Sequence, residues 1–432
     1  MSTQTAPPSV GNLDAPAGTQ VQARIGWRAP ILYLTVGLLA FVVFALLTPA
    51  ADTTTFMVAT GRDFVQIAPF AVPSRATALV LTLAALALAA WMTWLTSRRR
   101  RVPLWAPLLF AGLVLLAFLV WVMAGNVNAL PLTVLLTGAL TLSVPLIFGS
   151  LAGVLCERSG IVNIAIEGQL LAGAFLAVVV ASTTGSPYVG MLAAPIAGAL
   201  VGLILAMFAI RYRIDQIIVG VVLNVLVIGI TNYLFSTVLT ENSQTLNSPD
   251  RLPTLPIPVL SQIPILGPVL FNHSLIVYLM YVTVAVLQIL LFRSRWGLRM
   301  RAVGEHPKAA DTVGIKVNRT RLRNTVLGGA VAGFGGAALV SAGLAFTKEL
   351  TSGKGYIALA AMILGRWSPK GALAASLLFG FADSLRQVLN NLGSPVPSQF
   401  LSMLPYLATI FAVAGLVGRV RAPAAEGIPY PK

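Results

Sequence analysis

RSRWGLRMRAVGEHPKAADTVGIKVNRTRLR, Arg293 to Arg323, decides how this chain is read. It is a polar run between two apolar segments. It holds nine basic residues, Arg293, Arg295, Arg299, Arg301, Lys308, Lys316, Arg319, Arg321 and Arg323, against two acids, Glu305 and Asp311. A basic loop between membrane segments is retained on the cytoplasmic side. Inside it lies a short helix with readable ends. Pro307 suits a first helical position, where its missing N–H would go unbonded anyway. Ala309 and Ala310 favour helix. Gly314 can take the left-handed conformation that closes one. Two turns of helix held beneath a bilayer suit the grip of a soluble partner; the alternative is a solvated loop whose charge only sets topology.

The rest of the chain supports a membrane setting. Of 432 residues, 57% are apolar and 10% charged, against about 25% charged in soluble domains. Mean hydropathy is +0.86. The expected fold is all-α: a polytopic transmembrane bundle of ten to twelve spans with a short cytoplasmic coupling helix. A net charge of +16 would suit nucleic acid if it lay on one soluble face. It lies in short loops instead, so no nucleic-acid partner is expected. The single cysteine, Cys156, and two distant histidines, His273 and His306, suggest neither a disulfide nor a metal site, and no cofactor is expected. Gly355 stands where a phosphate-binding loop needs Ser or Thr after Gly353-Lys354, so ATP hydrolysis would fall to another subunit.

Reading spans of about 20 apolar residues gives an order. Residues 1–29, rich in Pro, Gly, Thr and Gln, read as a disordered cytoplasmic tail. Spans follow at Ile31–Leu47, Ala76–Leu95, Leu104–Met123 and Leu132–Leu151, then Ile161–Val180, Val189–Ile210, Gln216–Leu239 and Ser274–Phe292. After the basic loop, Thr325–Phe346 is rich in glycine. Lys348–Lys354 reads as an external loop. Tyr356–Leu364 is too short to span and reads as broken or re-entrant. Ala372–Leu389 and Phe400–Val417 complete the set, and 419–432 is a second cytoplasmic tail. With the amino terminus inside, 23 of the 29 Lys and Arg fall inside, all but Arg62, Arg75, Arg251, Lys348, Lys354 and Arg386. Both termini are therefore expected in the cytoplasm.

Polar groups at membrane depth are the candidate site. Asn163, Glu167 and Gln169 interrupt one span, and Asn224 and Asn232 share a face of another. One reading lines a substrate route with them. The other has Glu167 bond backbone freed by the break near Ser159-Gly160, and the asparagines bond between helices. Asp383 and Arg386 read as a surface pair at i and i+3. The short glycine-bounded segments Gly160–Gly168 and Gly355–Gly365 echo each other, as interrupted segments do at transporter sites.

Three blocks carry a family resemblance: Gly153 to Gln169 (GVLCERSGIVNIAIEGQ), Arg301 to Ile315 (RAVGEHPKAADTVGI) and Gly355 to Trp367 (GYIALAAMILGRW). In this order they resemble bacterial ABC importer permeases of the nucleoside and simple-sugar branch, within the ribose and branched-chain amino-acid permease superfamily. The likeness covers 130–418, the expected permease core with its coupling loop at 293–324. Residues 30–129 would be extra N-terminal spans, resembling the longer of the two permeases in nucleoside systems. The resemblance implies a multi-pass protein of the bacterial plasma (inner) membrane taking up a small-molecule substrate. It implies an ATP-hydrolysing cassette subunit, a second homologous permease and a substrate-binding lipoprotein as partners. Glu305, His306, Pro307, Ala309, Ala310 and Gly314 would then couple to the ATPase. The rivals are a permease of the same type for simple sugars, an ion-driven secondary transporter, and a membrane-embedded lipid-modifying enzyme. The last needs clustered acids, and the thirteen here are dispersed.

Overall fold

The protein is described from a computed structural model, which covers residues 26–59, 66–394 and 421–431, with a few positions between 396 and 406. Residues 1–25 of the expected tail 1–29, and nearly all of the expected span Phe400–Val417, lie outside the described residues.

Three helices come first: α1 (Arg28–Ala40), α2 (Ser74–Ser97) and α3 (Trp105–Val122). Strand β1 (Thr53–Met57) pairs antiparallel with β2 (Phe70–Pro73), and parallel with β3 (Leu130–Pro131) just before the core. Phe56 faces Phe70 on one side and Leu130 on the other. Thr54 Oγ1 donates to Val120 O at 2.8 Å, and Asn126 Nδ2 donates to Leu392 O at 3.1 Å. The first bond lies within the N-terminal unit; the second, with the β1–β3 pairing, ties that unit to the core at one end.

The core helices are α4 (Leu132–Glu157), α5 (Ile166–Thr184), α6 (Pro187–Ala206) and α7 (Gln216–Leu234). Short α8 (Ser243–Leu246) and α9 (Leu266–Leu270) follow, with a hairpin of β4 (Thr254–Pro256) and β5 (Asn272–Ser274). Then come α10 (Leu275–Arg293), α11 (Arg295–Glu305), α12 (Pro307–Thr312), α13 (Val317–Val340), α14 (Lys354–Leu364) and α15 (Pro369–Asn391). Among the described residues, nine helical stretches are long and apolar enough to cross a membrane: α1 together with the π-helical turn that carries it on to Leu46, α2 to α7, α10 and α15.

Helix α4 is the hub, with every residue from Ser143 to Glu157 buried. Around it, α5, α6 and α13 approach backbone to backbone. A Cβ on Gly198 of α6 would collide with Gly329 O of α13, and one on Gly329 with Gly198 O. Such contact is how helices gain packing energy in lipid, where no hydrophobic force draws them together. The glycines of the expected span Thr325–Phe346 are therefore interface residues. The helix carrying them starts earlier, at Val317. At 1.5 Å per residue α13 is a rod of about 36 Å, running unbroken from the basic segment into the bundle.

The basic segment holds two helices where the sequence reading gave one. The additional helix, α11, buries Gly297, Met300, Val303 and Gly304, a spacing of three and four that a helix puts on one face.

Candidate functional site

Two helices begin inside the bundle rather than at its surface. Helix α5 starts at Ile166, five residues later than the apolar run suggests, because 161–165 is not helical. Helix α14 is only 11 residues long, about 16 Å, half of a hydrocarbon core of about 30 Å. Both lie against the same stretch of α4. A Cβ on Gly149 would sit 2.8 Å from Ala358 Cβ and 3.1 Å from Ile166 Cγ2, and one on Gly153 would sit 2.6 Å from Met362 Sδ. The first turns of α5 and α14 thus meet beside α4, and a Cβ on Gly355 would collide with the backbone of Glu167.

Glu167 joins them. Its Oε1 accepts from Gly353 N at 2.8 Å and from Thr351 Oγ1 at 2.5 Å, and its Oε2 accepts from Gly355 N at 2.5 Å. A carboxylate at a helix start satisfies orphan N–H groups and meets the positive end of the helix dipole. Glu167 is 4% exposed. It does bond freed backbone, but on the α14 side, 184 or more residues away, and not at Ser159-Gly160. The segment read as an external loop, Lys348–Lys354, therefore enters the bundle, and Thr351 is buried.

Asn224 of α7 braces the other partner. Its Oδ1 accepts from Gly168 N at 2.8 Å, and its Nδ2 donates to Ile164 O at 2.8 Å and to Tyr356 Oη at 3.1 Å. Asn163 and Gln169 are fully buried and bond each other in both directions, at 3.0 and 3.2 Å. Asn163 also donates to Cys156 Sγ at 3.4 Å. Asn232 is eight residues along α7 from Asn224, about 12 Å by helical rise. It is not part of this cluster, and its Oδ1 is buried without a partner. Four of the five expected route residues are thus brought together, as the supports of the junction.

Beside the junction opens a cavity of about 740 Å³, within the range of about 300–1,000 Å³ usual for small-molecule sites. Its polar lining includes Ser352, Lys354, Tyr356, Asp383 and Arg386, and Phe379 lies on its wall. Arg386 Nη2 reaches Asp383 Oδ1 at 3.4 Å, with both side chains partly exposed. The i, i+3 pair is as expected, and it faces a cavity. Tyr356 and Lys354 were not singled out from sequence; their position directly after the Gly353 break was the available signal.

At the basic end, His306 caps α12, its Nδ1 accepting from Ala309 N at 3.4 Å, and Pro307 takes the first helical position. Gly314 has φ +84° and closes the segment. Ala309 is exposed while Ala310 is buried against Val303 and Val317, so the two alanines have opposite surroundings. Glu305 and His306 are exposed. Leu298 and Val313 stand in the open at 61% and 75% exposure. Residues 421–431, read from sequence as a free tail, lie against this segment. Ala425 N donates to Gly304 O at 2.8 Å.

A hydrophobic helical bundle with interrupted helices, an open cavity beside their junction, and a basic two-helix segment at one end is the architecture of a membrane permease. Residues 135–414 match the profile of the family described as branched-chain amino acid transport system / permease component, and the chain belongs to that family. It is 40% identical over 311 residues to the guanosine ABC transporter permease protein NupQ of Bacillus subtilis, covering 70% of this chain and 97% of that one. It is 37% identical to the nucleoside ABC transporter permease protein NupC of Lactococcus lactis, covering 70% and 98%. It is 30% identical to the putative glucose ABC transporter permease protein TsgC13 of Haloferax volcanii, covering 66% and 92%. No solved structure matches.

Proposed function

We propose that this chain is the membrane subunit of an ABC importer for nucleosides, and that the cavity beside the Glu167–Gly355 junction is where the ligand passes. The observation that carries this is the lining of that cavity. The Asp383–Arg386 pair, the Tyr356 hydroxyl and Ser352 offer both donors and acceptors to a hydroxyl-rich ligand. The rings of Tyr356 and Phe379 suit a flat base. Two relatives with a third or more of their residues in common carry guanosine or nucleoside in their names, which favours nucleosides. The name of TsgC13 keeps a sugar as the second reading.

In this scheme Glu167, Asn163, Gln169 and Asn224 hold the route open without touching the ligand. The energy comes from a separate ATPase that contacts Glu305, His306, Pro307, Ala309 and Gly314, with Ala310 anchoring the helix from behind. A second permease chain closes the open side of the cavity, and a substrate-binding lipoprotein delivers the ligand to the end opposite the basic segment. The basic segment and both termini lie in the cytoplasm. Residues 30–129 form an added three-helix unit beside a core of 130–418.

The test is uptake by the complex reconstituted with its ATPase, second permease and lipoprotein. Labelled guanosine should enter in an ATP-dependent way, and glucose should not. Asp383→Asn should lower nucleoside uptake about 10- to 100-fold, since it removes the charge that pairs with Arg386 and accepts from ligand hydroxyls, while ATP hydrolysis continues. Uptake of glucose alone, or unchanged guanosine uptake by the variant, would reject the reading.

A further inference from the structure

We propose that residues 421–431 are a working part of the coupling element: a strap, fastened by Arg321, that makes α11, α12, α13 and the end of α4 move as one body. The idea rests on the reading that a separate ATPase pushes this segment.

A lever has to be stiff, and α12 is not stiff by itself. It has six residues and buries only Ala310, whereas isolated helices under about 12 residues are marginal in water. Its stiffness must come from contacts, and the strap supplies them to its buried face and to the end of α11 before it. Tyr430 Oη donates to Asp311 Oδ2 of α12 at 3.0 Å. The Tyr430 side chain packs on the Val303, Ala310 and Val317 cluster, which joins α11, α12 and α13. Ala425 N donates to Gly304 O at 2.8 Å, and Ala424 N to Glu305 Oε2 at 3.3 Å, both at the end of α11.

Arg321 is the fastener. It sits in α13 at 1% exposure. Its Nη1 donates to Ile428 O at 2.7 Å and its Nη2 to Ala425 O at 3.3 Å. A buried guanidinium without partners is strongly unfavourable, so α13 needs the strap as much as the strap needs α13. The same atoms touch the turn that ends α4. A Cβ on Gly160, at φ +93°, would lie 2.7 Å from Arg321 Nη2 and 3.2 Å from Ala425 O. Four segments therefore share one contact point, and α13 leads from it into the bundle. Arg321 and Tyr430 are positioning residues in this account; neither meets the ligand.

The experiment uses the full complex. Cys156 is buried, so Ala425→Cys adds one reporter thiol at a position 5% exposed. Maleimide should label it slowly in the parent and roughly tenfold faster with Tyr430→Ala or Arg321→Met, in line with the usual size of coupling between contacts. In the chain without Ala425→Cys, both substitutions, and a stop codon after Ala422, should leave ATP hydrolysis running. The ATP spent per nucleoside imported should rise about tenfold. A strap that only aids folding would lower hydrolysis and uptake together. Fast labelling in the parent, or parent-like ATP use in the variants, would overturn the proposal. Tyr430→Ala removes only contacts of the strap, and it decides the matter if Arg321→Met fails to insert. A parent complex that imports no nucleoside would reject the functional reading instead, and the labelling arm would still decide the strap.

Discussion

Glu167 and Glu426 are both acids set against a break in the helical order, and they are treated in opposite ways. Glu167 receives three donors in the middle of the bundle. Glu426, on the strap, leans on Glu157 at the end of α4, and its Oε2 is buried with no hydrogen-bond partner. Nearby, the Trp367 indole N–H is already given to Glu157 Oε2 at 2.5 Å. A fully satisfied polar junction rigidifies, while an unpaired buried polar atom is costly. The contrast divides the molecule. The centre, where α5 and α14 meet, is a fixed frame. The basic end, where force is proposed to enter, is clamped by the strap, and Glu426 Oε2 is the group there left without a hydrogen bond.

The largest way to break this comparison is at Glu167. Replacing it with Ala strands three donors, two of them buried, each buried one at about 1–3 kcal/mol. We expect a loss of more than about 3 kcal/mol, read as loss of monodisperse protein after detergent extraction and a large fall in melting temperature. Glu167→Gln keeps one acceptor oxygen but turns an NH2 toward an N–H, so it should cost less, about 1–3 kcal/mol. If Glu167→Ala melts like the parent, the centre is not the frame described.

Asn224 comes next. Asn224→Ala removes the acceptor for Gly168 N and the donors to Ile164 O and Tyr356 Oη. The expected cost is about 1–3 kcal/mol. Because Tyr356 lines the cavity, uptake should fall further than stability alone explains. A drop in melting temperature with uptake per folded molecule unchanged would separate Asn224 from the route.

Much of this frame could be read directly from the chain. The apolar runs gave the helices; Pro307 and Gly314 gave the limits of α12, because the missing N–H and the left-handed backbone are local requirements. The shortness of Tyr356–Leu364 announced a half-helix. What could not be read depends on partners far away in sequence. Lys348–Lys354 is polar and looks solvated until Glu167, 184 residues before Thr351, accepts its N–H and O–H groups. Helix α11 was hidden by Arg295, Arg299 and Arg301, which drew attention to charge rather than to the spacing of Gly297, Met300 and Val303. The strap was invisible because it is held largely through the carbonyls of Ala425 and Ile428, and a backbone oxygen carries no residue preference. Arg321 looked like one topogenic charge among nine; only its burial sets it apart.

The smallest predicted effect sharpens the comparison most. Burial raises the Glu426 carboxyl above its usual value of 4.5, and the neighbouring Glu157 carboxyl lowers it by less. In the docked strap the group therefore holds its proton to higher pH than in a released strap. Docking binds protons, so it is strongest below about pH 4.5 and weakens as pH rises toward the docked value, above which it levels off. Glu426→Gln is uncharged at every pH and keeps the side chain's shape. With the Ala425→Cys reporter, the labelling rate of the parent, corrected for thiol ionisation with an exposed cysteine, should climb as pH rises above about 4.5 and then level off. That of the Glu426→Gln variant should stay low and flat. Glu157 faces the same spot from α4, Arg321 from α13, and Arg158 lies just beyond α4, bonded to the carbonyl of Trp367 at 2.9 Å. Both arginines keep their charge near neutral pH; the other acids that touch the strap are Glu157 on α4, Glu305, which accepts from Ala424 N, and Asp311, which accepts from Tyr430 Oη. A slope that survives in Glu426→Gln would therefore move the titration away from Glu426 to one of these three, whereas a flat parent would mean that the basic end is held as firmly as the centre.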